Sequence, residues 1–65
     1  MKHYIATILN MSENTTRTVN VDDLDVYKAH KRALLGNCSK HEEILKMHNH
    51  RGDEVFDLKK GFKGN

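Results

Sequence analysis

A lone cysteine, Cys38, in a chain of 65 residues rules out an internal disulfide. A domain of this size hides only about 60% of the surface its unfolded chain exposes, so its stability margin is thin. Without a disulfide staple, that margin must come from dense packing, a metal or a partner. A single cysteine fits a reducing compartment, and a cytoplasmic location is expected. The apolar runs are too short for a membrane-spanning helix, so no membrane partner is expected. The opening "MKHYIATILNMSENT" is broken by Thr7 and Asn10. It lacks the longer apolar core and small-residue cleavage site of a signal peptide. The length predicts a single domain over 1–65. Net charge is +2, with both signs mixed along the chain, well short of the density of a strong nucleic-acid binder.

"HYIATILNM" is rich in β-branched and aromatic residues and reads as a strand. Tyr4, Ala6 and Ile8 share one face and Ile5, Thr7 and Leu9 the other. Both faces are apolar enough to predict a central strand covered on both sides. "SENT" is turn-like, and "TRTVNV" alternates Arg17, Val19 and Val21 with Thr16, Thr18 and Asn20. The two runs predict an antiparallel hairpin. "VDDLDVYKAHKRALLGN" then predicts a helix, with Asp22 as N-cap, Asp25 at the third helical position and Val21 stapled onto Val26. Its core stripe is Val26, Ala29, His30, Ala33 and Leu34, and Gly36-Asn37 is a left-handed stop signal. His30 reads as a half-buried histidine bonded to the sheet, or as a pH-sensitive contact.

"NCSKHEEILKMHNH" carries two sets of signals. Ser39 and Glu42 form a capping-box pair ahead of a helical stripe through Ile44, Leu45, Met47 and His48. In the strand reading, Leu45 and Met47 point inward, and Ile44, Lys46, His48 and His50 point away. A turn at "RGD" then leads into a strand with Phe56 and Leu58 on one face, before a fraying end. The strand reading gives that last strand a local partner and is preferred. The expected fold class is α+β: a small antiparallel β-sheet with one helix packed on one face, in the order ββαββ.

Chemistry is sparse. Cys38, His41, His48 and His50 offer zinc-type ligands, but their spacing matches no common zinc motif. Metal binding is therefore only the weaker alternative, and no cofactor is expected. A catalytic cysteine needs a lowered pKa, a base and a cleft. With no catalytic constellation in the sequence, the expected protein is not an enzyme. Lys28, Lys31 and Arg32 on the helix, with Lys59, Lys60 and Lys63 around Phe62, form a candidate nucleic-acid surface. Acidic residues at 42, 43, 53, 54 and 57 dilute it. One helix covers one sheet face, so Ile5 and Leu9, with Arg17 on the neighbouring strand, are candidates for contact with a partner. That partner is a larger protein or a second copy of the chain.

The order of elements across residues 3 to 50, carried by "YIATILNM", "TRTVNV", "DDLDVYKAHKRALL" and "EILKM", resembles small bacteriophage accessory proteins of the T7-type inhibitor of host RNA polymerase. That resemblance implies a phage-encoded protein that binds a host macromolecule in the host cytoplasm. The inhibitor type meets a basic channel with an acidic strand surface. Here the strand carries Arg17 and the helix three basic residues, so no functional residue carries over. The sequence thus predicts a non-enzymatic interaction protein that binds a host target, with inhibition by that binding as one expected consequence. The alternative is a small basic nucleic-acid-binding module.

Overall fold

Runs of β-branched and aromatic residues separated by Asn- and Gly-bearing turns dictate most of the architecture. The structure, a computed structural model, describes residues 1–63. Its elements are β1 (Lys2–Asn10), β2 (Thr15–Asp23), α1 (Val26–Gly36), β3 (Glu42–Asn49), β4 (Glu54–Asp57) and β5 (Gly61–Phe62). The sheet is five-stranded in the order β2-β1-β3-β4-β5, with every neighbouring pair antiparallel. The α+β class, the antiparallel sheet and the single helix are as the sequence predicts. A fifth strand extends the ββαββ order to ββαβββ.

Short polar side chains close the turns. Asn10 Oδ1 accepts from the N–H groups of Ser12 and Glu13, both at 3.0 Å, and Asn14 takes a left-handed φ of 56° that asparagine tolerates. Asn49 Oδ1 accepts from Arg51 N at 2.9 Å and Asp53 N at 3.0 Å around Gly52, whose φ of 88° favours glycine. The "RGD" tripeptide is therefore turn chemistry. Asp57 Oδ1 accepts from Lys59 N at 2.8 Å, and the chain returns so that Phe62 pairs with Phe56. The expected frayed end is thus a short strand as far as Phe62. Gly64 and Asn65 lie outside the described residues.

The core lies between α1 and one face of the sheet. Tyr4, Ala6 and Ile8 of β1, Val21 of β2, Ile44 and Met47 of β3, and Val55 and Phe56 meet Val26, Ala29 and Ala33 of the helix. Small residues on the helix let its axis sit close to the strands. The predicted stripe is right at Val26, Ala29 and Ala33. Leu34 at its margin is 43% exposed. His30 packs at a tilt against Phe56 (centroids 4.6 Å) and meets Phe62 edge-on (5.3 Å), and Tyr27 packs on Phe62 (4.5 Å). Burial among these rings holds the imidazole below its ordinary pKa. The other face of β1 has no helix over it, which corrects the expectation of a strand covered on both sides.

The helix begins three residues later than the sequence suggests. β2 runs on to Asp23, and the N-cap is Asp25, whose side chain accepts from Lys28 N at 2.9 Å. Asp22 is instead a strand residue opposite His3. A run with aspartate at 22, 23 and 25 offers competing caps, and pairing of the whole hairpin decides among them. At the other end Asn37 caps with φ −122°, so the left-handed stop is not used, and its N–H bonds Ala33 O at 2.9 Å. Replacing the cap, Asp25→Ala, is expected to destabilise the fold by about 1 kcal/mol in urea denaturation. Asp22→Ala should cost clearly less, and the reverse ranking would contradict this helix start.

Candidate functional site

Residues opposite one another in an antiparallel pair project to the same face. The register therefore assigns the face that the helix leaves open. Ile5 lies between Asn20 and His48, Thr7 between Thr18 and Lys46, and Leu9 between Thr16 and Glu43. Ile5 is 42% exposed, and Leu9 and Thr7 are half-buried. Lys46 pairs onward with Asp57, and beside them Leu45 and Leu58 line a shallow depression with Lys59. The result is an aliphatic patch set among threonines and mixed charges.

β3 departs from the predicted alternation. Its register with β1 shifts between Thr7 and Ile8, so an extra residue enters the strand. Such a bulge breaks the period of two. Ile44 and Met47, three apart, are both buried, at 2% and 0% exposure. The expectation that Leu45 points inward and Ile44 outward is thereby corrected. Phe56 and Leu58 likewise part company, because β4 ends at Asp57 and Leu58 is exposed.

Arg17 does not join Ile5 and Leu9. It pairs with Ile8, so it projects to the helix side. Its guanidinium grips Glu42 with both ends, Nε to Oε2 at 3.0 Å and Nη2 to Oε1 at 2.9 Å. It also donates to the carbonyl of Asn37, the C-cap of α1. Glu42 in turn accepts from Ser39 N at 2.8 Å. The Ser39–Glu42 bond that the sequence offers as a helix cap is real, but it closes a turn into β3. The Arg17 bonds and the Ser39 N–H hold the Glu42 carboxyl at about 2, far below its ordinary 4.5. Arg17 is thus a fastener between β2, β3 and the helix end.

The candidate cations divide between two edges of the molecule. Lys28, Lys31 and Arg32 flank a shallow, open depression with Asp23, Leu35 and Gly36 on the β2 side of the helix. Arg32 Nε donates to Asp23 at 2.9 Å, which with the Leu24 N–H holds that carboxyl below its ordinary range. Lys59, Lys60 and Lys63 sit at the β4–β5 edge, where Lys63 meets Glu54 at 3.2 Å. Phe62 packs against Tyr27, His30 and Phe56, so its role between the lysines is structural.

The metal alternative is not assembled. Cys38 and His41 precede β3, and His48 and His50 stand at its far end, roughly 20 Å away at about 3.3 Å per residue. Among the described residues no group of three or more His, Cys, Asp or Glu side chains converges. Cys38 is half-buried against the core, and burial, then the Glu42 charge, raises its thiol pKa. The sequence reading passed over one pair, His3 Nδ1 to Asp22 Oδ1 at 2.7 Å. Hairpin register alone sets them opposite one another, so a turn placed at 11–14 would have found it.

Two outcomes follow from this geometry. Glu42 has a depressed folded pKa, so its contribution is full above about 4.5 and is lost as pH falls through that value toward about 2. Thermal melts across that window should show a fall that is shallower in Glu42→Gln, and equal slopes would discount the clamp. Cys38 should alkylate with iodoacetamide at neutral pH more slowly than a free cysteine peptide, because its thiolate is disfavoured. Comparison with known proteins finds no protein-family model, curated protein or solved structure that matches the chain.

Proposed function

We propose that this chain is a non-enzymatic interaction module that binds another protein through the sheet face opposite its helix. The observation that carries this reading is the one-sided cover of the sheet. Val26, Ala29 and Ala33 bury one face, and Ile5 and Leu9 lie on the other. A small domain gains stability by burying such a patch, and complementarity with a partner supplies that burial. The flanking Thr7, Thr16 and Thr18 are β-branched, so ordering them against a partner loses little rotamer freedom.

The resemblance to small phage accessory proteins supports a host macromolecule as the target. Inhibition would then follow from occupying a surface the host needs. Arg17 falls outside this contact set, since its guanidinium is committed to Glu42. The alternative, a nucleic-acid module, is less favoured because its six cations divide between opposite edges of the sheet, and Glu54 already pairs with Lys63.

The test is capture from bacterial lysate with nuclease present, comparing the native chain with Ile5→Lys/Leu9→Lys. A protein partner retained by the native chain and released by the double variant, at unchanged melting temperature, is the expected result. Equal retention by both would remove the open face as the contact. Retention of nucleic acid alone, lost with nuclease and steeply weakened by salt, would favour the basic module.

A further inference from the structure

The two edges of the sheet are unequal. β5 is a two-residue strand, Gly61–Phe62, whereas β2 offers nine residues, Thr15–Asp23. Edge strands of soluble proteins are usually shortened, bulged or guarded by lysine and proline. β2 has neither residue type and its register with β1 is unbroken; its charges are Arg17, turned inward onto Glu42, and Asp22 and Asp23 at its helix-proximal end, which leaves Thr18 to Val21 as a stretch without a charge. Alternate residues along it direct N–H and C=O groups away from β1, ready to pair. Thr15 to Thr18 are exposed, and Val19 is half-buried against the core.

The helix overlooks this edge. Arg32 reaches Asp23 of β2, so the side of α1 that carries Lys28, Lys31, Arg32 and Leu35 rises beside the strand. Among the described residues Lys28 and Lys31 have no carboxylate in ion-pair reach, and Asp23 bonds only Nε of Arg32. Leu35 is 75% exposed at the end of the same row. Lys28 and Arg32 are one helical turn apart, about 6 Å, close to the spacing of about 6.6 Å between same-face residues of a strand.

We propose that the β2 edge and the basic side of α1 beside it accept an extended acidic segment of a partner protein, added as a sixth strand. Its backbone pairs with β2. Alternate carboxylates meet Lys28, Lys31 and Arg32, and an aliphatic residue between or beyond them meets Val19 or Leu35. This rests on the reading that the chain binds proteins, and specifies a second contact and its chemistry. Charge selects this occupant over a second copy. Pairing β2 with its own symmetry mate about an axis normal to the sheet leaves both helices on the same face. The two basic rows would then confront each other, which repels.

The test is selection of octapeptides from a random display library on the whole chain. Enrichment of Asp or Glu at alternate positions, with aliphatic residues interspersed, is expected. A selected peptide should bind the folded Lys28→Glu/Lys31→Glu variant on the order of ten-fold more weakly. N-methylation of its alternate edge-facing amides should abolish binding, and its amide NMR shifts should centre on Thr16–Asn20 and the helix. Selection of neutral or basic peptides, indifference to N-methylation, or shifts centred on Ile5, Thr7 and Lys46 would overturn the proposal. So would displacement by oligothymidylate with shifts at Lys59 and Lys60. If no acidic peptide is selected while partner capture persists and depends on Ile5 and Leu9, the edge proposal fails and the open-face function stands. If capture fails as well, both fall.

Discussion

A single helix can cover only one face of a sheet, and that constraint organises this protein. Val26, Ala29 and Ala33 present a narrow, small-residue face, and the strands answer with Tyr4, Ala6, Ile8, Val21, Ile44 and Met47. β1 is central to this because it pairs with both β2 and β3 over most of its length. Burial therefore falls on alternate residues of one strand. Tyr4, Ala6 and Ile8 are enclosed, while Ile5, Thr7 and Leu9, similarly apolar in sequence, face outward. The asymmetry that stabilises the fold also creates its exposed aliphatic patch.

Holding one helix over one face needs fasteners at both ends. At the N-terminus, Asp25 caps the helix and Arg32 returns to Asp23 of β2. At the C-terminus, Arg17 crosses from β2 to Glu42 of β3 and also holds the Asn37 carbonyl. Ion pairs at exposed sites contribute little individually. The Arg17 pair differs in geometry, being two-pronged, with the Glu42 side chain only 8% exposed. Position matters as well, since it fixes a helix carbonyl and the entry to β3 at once. Along the remaining flank, the rings of Tyr27, His30, Phe56 and Phe62 close the side of the core toward β4 and β5.

Much of the fold was legible because local chemistry and long-range pairing agreed. The first hairpin, the helix and the strand character of β3 all follow from period and turn residues. What escaped the sequence was decided by register. A bulge opposite Thr7 and Ile8 turned Ile44 and Met47 to the same side, and no local propensity announces a bulge. Asp22 and Asp25 are equivalent as caps until the hairpin claims Asp22 for β2. Arg17 looked like a surface contact because its partner, Glu42, is distant in sequence. Ile5 and Leu9 were placed on the outer face from alternation alone. The zinc-type residues, close in sequence, were separated by the length of the extended strand between them.

The two proposed contacts are physically different, and they can act together. The open face gives area with little direction, since Ile5 and Leu9 attract any complementary apolar surface. The β2 edge gives direction with little area, since backbone pairing fixes orientation and register. Specificity then falls to the basic side of α1 beside it, where Lys28, Lys31 and Arg32 favour carboxylates and oppose a second copy of the same chain. A strand added at β2 would also extend the sheet past the Asn20, Thr18 and Thr16 side of the open face. One partner could therefore run along the edge and fold over the face, joining the two contacts into a single continuous surface. A partner that enters by the charged edge and settles on the aliphatic face would associate with salt-sensitive rates. Its residence, set by the buried aliphatic contact, would be largely insensitive to salt.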